Sequence, residues 1–163
     1  MKYKFACVLA CGMLMSLSSA AWAQVVIEEA EWKESEVPAP PAFSVDKLVT
    51  FVVSPNSELV FGVDPATISI SRTDGLVRYV MVATSASGIR NVMYEAIRCS
   101  TGEFKTYGRY SAEGQWNMVK NSEWKTIFGN MPSRHALRFA KAGACDNAAP
   151  VSSVKELVSR LKS

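Results

Sequence analysis

Four glycine-bearing turns, crowded between residues 74 and 114, restrict this chain more than any other feature. Asp74-Gly75, the Ser85 to Gly88 stretch, Ser100-Thr101-Gly102 and the Ala112 to Gly114 stretch separate runs rich in β-branched and aromatic residues. Short runs joined by turns this tight pair with their immediate neighbours, which dictates an antiparallel meander.

Each turn also sets a register. Aspartate followed by glycine tolerates positive φ at both central positions of a two-residue hairpin, which puts Ile70 opposite Tyr79 and Ile68 opposite Met81. A loop centred on Ala86-Ser87 puts Tyr79 opposite Tyr94, Met81 opposite Val92 and Arg78 opposite Glu95. A three-residue loop with Gly102 left-handed sets Arg98 against Phe104 and Tyr94 against Gly108, and the last turn sets Tyr110 against Trp116. Side chains alternate faces with period two. These registers therefore gather Ile68, Ile70, Val77, Tyr79, Met81, Val92, Tyr94, Ala96, Phe104, Tyr110, Trp116 and Met118 on one face, the expected core. The second turn is the least decisive by itself, and this agreement is what favours centring it on Ala86-Ser87. The other face mixes apolar residues with Ser71, Arg78, Asn91, Glu95, Lys105, Tyr107 and Arg109.

The chain opens with Lys2 and Lys4, an apolar run from Phe5 to Leu17, and Ala21-Trp22-Ala23, the layout of a secretory signal peptide over residues 1–23. Val8-Leu9-Ala10-Cys11 departs from a lipoprotein cleavage box at Leu9, so the leader reads as cleaved after Ala23 rather than lipidated. The expected location is the periplasm. No later segment approaches the roughly 20 apolar residues of a transmembrane helix.

Cleavage removes Lys2 and Lys4 from 18 basic side chains, leaving 16 against 15 acidic ones, a balance that gives no footprint for nucleic acid. It also removes Cys7 and Cys11. The remaining Cys99 and Cys145, in an oxidising compartment, read as one disulfide that would contribute about 4 kcal/mol in the chain-entropy description.

Residues 24–42 form an acidic, proline-containing arm, read as solvated and pinned by Trp32, with Pro38 to Pro41 forbidding helix. Residues 43–163 read as a single α+β domain: a meander of about five strands from Thr67 to Val119, two C-terminal helices, and strands near 46–63 that widen or cover the sheet. The first helix is expected from Pro132 or Ser133 to Ala142, stopped by Gly143. The second starts at a capping box of Ser153 and Glu156 and repeats Val154, Leu157, Val158 and Leu161 on one side.

A glutamate at mid-strand between Met93 and Ile97 is costly to bury alone, and on this register Arg78 is its counter-charge. Arg78, Glu95 and Tyr107, with Asn91 and Arg109 nearby, form the candidate patch. It reads first as a satisfied ion pair beneath a helix and second as a site for a polar or anionic ligand. Arg98, Arg134 and His135 are weaker candidates. One histidine leaves little for a metal centre, and neither a phosphate loop nor a cofactor motif is present, so no metal and no cofactor are expected.

Together, Gly75-Leu76-Val77-Arg78-Tyr79, Ser87-Gly88 with Arg90-Asn91-Val92, Tyr94-Glu95 with Ile97-Arg98-Cys99, Tyr107-Gly108, Trp116, Trp124, Arg134-His135 and the Trp32 arm resemble the cryptic-neisserial-protein-like (CNP-like) envelope proteins of proteobacteria. The resemblance spans nearly the whole chain after the leader. It implies a secreted or periplasmic domain and brings no catalytic residues. Family members tend to carry aromatic residues before the second cysteine, where this chain has Ala142-Gly143-Ala144. The leading functional expectation is a non-enzymatic module that binds an envelope protein or a small polar ligand. The alternative is a periplasmic hydrolase using Glu95 with Arg78 or His135.

Overall fold

The computed structural model describes residues 31–163, so the leader lies outside the described residues. An eight-stranded antiparallel sheet is built from β1 (Val49–Phe51), β2 (Leu59–Val63), β3 (Ser69–Ile70), β4 (Leu76–Ser85), β5 (Arg90–Arg98), β6 (Glu103–Tyr110), β7 (Trp116–Met118) and β8 (Lys125–Thr126). The order is β1-β2-β4-β5-β6-β7, with β3 sharing one edge of β4 with β2, and β8 sharing one edge of β6 with β7. The segments near 46–63 thus form a hairpin at the sheet's edge. Where β2 ends and β3 has not begun, the Thr67 hydroxyl accepts the Val80 N–H at 3.1 Å and stands in for a missing strand residue.

Two helices follow the strands. Helix α1 (His135–Phe139) is shorter than expected and widens into a π turn over Ala140–Ala144, with Gly143 inside it. A two-stranded ribbon, β9 (Cys145–Asp146) with β10 (Ala149–Pro150), leads to α2 (Val154–Leu161). Ser153 caps α2 by accepting the Glu156 N–H, while the Glu156 side chain takes Ser152 and Arg160 instead of closing the box. Leu157 and Leu161 are buried against the sheet. A Cβ on Gly143 would stand 2.9 Å from Arg160 Cβ and 3.2 Å from the Leu157 carbonyl oxygen. The small residues before Cys145 are what lets α2 pass this close. Cys99 and Cys145 are disulfide-bonded, with Cα atoms 5.6 Å apart, and tie the end of β5 to the C-terminal ribbon. No helix among the described residues is long and apolar enough to cross a membrane.

The register differs from the expected one at the second turn. Gly88 takes the left-handed position (φ 81°) of a loop of Ala86, Ser87 and Gly88 between Ser85 and Ile89, one residue longer than an Ala86-Ser87 hairpin. Tyr79 is therefore opposite Glu95, and Val80, not Tyr79, is opposite Tyr94. Since the side-chain period is two, this slip of one turns every β5 residue to the other face relative to β4. The first turn slips by two, pairing Ile70 with Val77 and leaving the faces unchanged, and the fourth pairs Tyr110 with Trp116 as expected. At the third, Arg98 meets Glu103 and Ile97 meets Phe104, while a bulge restores Tyr94 opposite Gly108.

The expected single core is thus two cores. On the first face Val77, Tyr79, Met81, Met93, Ile97 and Phe104 meet α1 and α2. On the second, Val80, Val82, Val92, Tyr94, Ala96 and Tyr107 lie beneath Val37, Phe43 and Leu48. Phe43 sets its edge against Tyr110 and Trp116, with ring centroids 5.1 and 6.1 Å away. Met118 is half exposed and belongs to neither. The central strand β4 is buried on both sides from Leu76 to Ala83, which explains why it reads as an apolar run interrupted by Arg78 rather than an alternating one.

Candidate functional site

The register separates the residues of the expected patch. Arg78 lies on the second face, where it makes a 2.7 Å ion pair with Asp74 rather than Glu95. Its guanidinium also donates to Ser35, and Ser35 in turn is bound to the same Asp74 carboxylate through its hydroxyl and its backbone N–H. Burial works to raise the Asp74 pKa, but the Arg78 and Ser35 hydrogen bonds outweigh it and hold the carboxyl well below its usual range. Tyr107 donates to Glu34 at 2.6 Å, and Lys105 and the Trp124 indole N–H reach the other Glu34 oxygen. Despite its burial, Glu34 is lowered by these donors. Trp32 donates to the Asp74 carbonyl, and Arg98 lies 3.7 Å over its ring. Arg78, Tyr107 and Arg98 thus hold the segment from Trp32 onwards against the sheet.

Glu95 faces the other way. It is fully buried, and its carboxylate accepts from the Thr106 hydroxyl at 3.0 Å and the Tyr79 hydroxyl at 3.3 Å. His135, the first residue of α1, brings Nε2 to 2.9 Å from the same carboxylate. Burial first, and the Glu95 charge second, push the Tyr79 phenol well above its usual pKa, so it stays a donor. The imidazole is stacked parallel on Phe61 and meets the edge of Phe104, with centroids 5.6 and 6.0 Å away. Its other nitrogen, Nδ1, lies 3.0 Å from the Ser133 hydroxyl. A carboxylate only accepts, so Nε2 carries the proton and Nδ1 is free to receive one.

This pair floors a cleft of about 400 Å³ that opens where the helical cover begins. Phe61, Ala83, Met93 and Phe104 give it apolar walls; Asn91, Arg109, Asn121, Glu123 and Lys125 line it with polar groups; and Met131, Pro132 and Ser133 close the helix side. Arg109 reaches Asn91 at 3.5 Å, and among the described residues neither Arg109 nor Lys125 makes a salt bridge. Arg109 enters the cleft because of the bulge opposite Tyr94 and Glu95, where Tyr107 is the surplus residue of β6. Arg134 is exposed just before α1.

Glu95, Asn91, Arg109 and His135 therefore share one cleft, whereas Arg78, Tyr107 and Arg98 lie on the opposite face. Sequence reasoning missed Ser133, Thr106 and Lys125 in the cleft, and Glu34, Ser35 and Asp74 beneath the arm. A mid-strand glutamate with a lone histidine was the available signal for the first group. Among the described residues no three His, Cys, Asp or Glu side chains converge as a metal site.

No curated protein and no solved structure matches the chain. The family model described as CNP1-like matches residues 27–162, which takes in the arm, the sheet, the cleft and both helices. On that match the chain belongs to the CNP1-like family.

Proposed function

We propose that the protein is an exported, periplasmic binding module whose cleft takes a small ligand with an apolar body and an anionic or polar head. The observation that carries this reading is the make-up of the cleft: aromatic and methionine walls below, with Arg109 and Lys125 lining it free of carboxylate partners among the described residues. The layout of residues 1–23 supports export. The enzymatic alternative keeps its Glu95 and His135 half, 2.9 Å apart, but Arg78 lies on the opposite face from Glu95.

Calorimetry of the mature chain against a series of straight-chain carboxylates tests the cleft. Binding should strengthen with chain length and weaken at least about tenfold, the worth of one lost charge-assisted hydrogen bond, in Arg109→Glu with Lys125→Glu. Equal affinity in that variant refutes the assignment. For location, periplasmic extracts should contain a chain beginning at Gln24; an uncleaved chain in the cytosol refutes export.

A further inference from the structure

From the Ser133, His135 and Glu95 geometry we infer that the cleft cleaves esters of short acyl chains, with Ser133 as nucleophile. The inference rests on the cleft being the binding site. Ser133 Oγ is 3.0 Å from His135 Nδ1, and His135 Nε2 is 2.9 Å from Glu95 Oε2, a nucleophile, a base and a carboxylate in one hydrogen-bonded line. The direction of each bond is fixed by its neighbours. Ser133 Oγ already accepts the His135 backbone N–H at 3.4 Å, which turns its own hydrogen toward Nδ1. Glu95, fully buried and satisfied by Thr106 and Tyr79, holds the proton on Nε2. Phe61 and Phe104 fix the ring plane.

Ser133 is partly exposed and lines the cleft, so its oxygen is reachable, whereas Glu95 is not. In the reaction, Ser133 Oγ bonds to the ester carbonyl carbon as its proton passes to Nδ1. The carbon to alcohol-oxygen bond then breaks, and the alcohol leaves with the proton from Nδ1. Water gives a proton to Nδ1 and attacks the acyl-serine, and the acid departs as Ser133 regains its hydrogen. Ester and water become acid and alcohol, with no other reactant. Arg109 and Lys125 supply positive charge in the same cleft for the oxyanion. Phe61, Met93 and Ala83 offer the acyl chain an apolar wall. Glu95 acts through His135 and is a positioning residue.

The test treats the oxidised mature chain with a fluorophosphonate probe and maps the adduct by peptide mass spectrometry, alongside hydrolysis of p-nitrophenyl butyrate. A single adduct on Ser133 is expected, with hydrolysis falling at least about a hundredfold in Ser133→Ala and Ser152→Ala unaffected. Glu95→Gln should shift the pH profile of labelling, which a purely structural glutamate would not do. No adduct, or an adduct elsewhere, overturns the inference. Carboxylate binding without an adduct sinks the ester chemistry alone; loss of both sinks the binding reading too.

Discussion

Replacing Glu95 by alanine strips the acceptor from three side chains at once: the hydroxyls of Tyr79 and Thr106 and the imidazole of His135. A buried donor left unpaired costs about 1–3 kcal/mol, and here three lose their acceptor together. The alanine variant should therefore lose about 3–5 kcal/mol, a large part of a domain's usual 5–15 kcal/mol, and melt roughly 10 °C or more below the parent. Glu95→Gln keeps one carbonyl acceptor and the side chain's shape, so about 1–2 kcal/mol is expected. Urea denaturation measures both. A double-mutant cycle adds the decisive comparison: Glu95 and His135 should couple by about 1 kcal/mol or more, while Glu95 and Arg78, which share no partner, should be additive within about 0.5 kcal/mol. An alanine variant within about 0.5 kcal/mol of the parent, or strong coupling between Glu95 and Arg78, would refute the register and the pairing drawn from it.

Removing the disulfide with Cys99→Ser and Cys145→Ser should cost about 4 kcal/mol for a sequence separation of 46, read from the denaturation midpoint. Gly143→Ala should cost about 1–3 kcal/mol in calorimetry, because the added methyl meets Arg160 Cβ and the Leu157 carbonyl oxygen, neither of them the yielding tip of a side chain. Acid should loosen the arm. Both Glu34 and Asp74 have folded pKa values below their ordinary 4.5 and 3.8, so their stabilisation is complete above those values and is lost as the pH falls through the lower folded ones. The emission of Trp32 and Trp124 should report that loss below about pH 4.5, and Glu34→Gln should remove its share of the pH dependence.

Turn chemistry made the meander legible from sequence, the two cysteines left after the leader pointed to the disulfide, and a capping serine with apolar spacing marked α2, whereas the strands near 46–63 could be read only as widening or covering the sheet. The faces of the sheet were another matter. Gathering apolar residues on one side assumes that the other side is wet, and β4 gives no such contrast because both its sides are dry. Gly88 carried the missing information: it takes the same left-handed position in its loop that Gly102 was expected to take after Ser100 and Thr101. The second cover was hidden as well. Trp32, Glu34 and Val37 sit in a stretch whose acidity and prolines suggest a solvated arm, yet each has a partner far along the chain. The helix start was partly readable, since Ser133 and His135 are two positions apart in sequence, but only the fold carries His135 to Glu95, 40 residues away.

The surplus residue in β6 has a reach beyond its own turn of chain. Thr106 and Arg109 share the helix-covered face although three positions separate them, and Tyr107 and Gly108 both fall on the aromatic side. Pairing the same residues evenly, without the bulge, would alter no side chain's chemistry, yet it would set Arg109 opposite Val92 and Tyr110 opposite Asn91, carrying the Arg109 guanidinium under the arm and the Tyr110 phenol into the opening. The charge of the cleft is thus written in one irregular step of β6, and the same residues paired evenly from Glu103 to Tyr110 would present a mouth of the opposite character on an otherwise matching sheet.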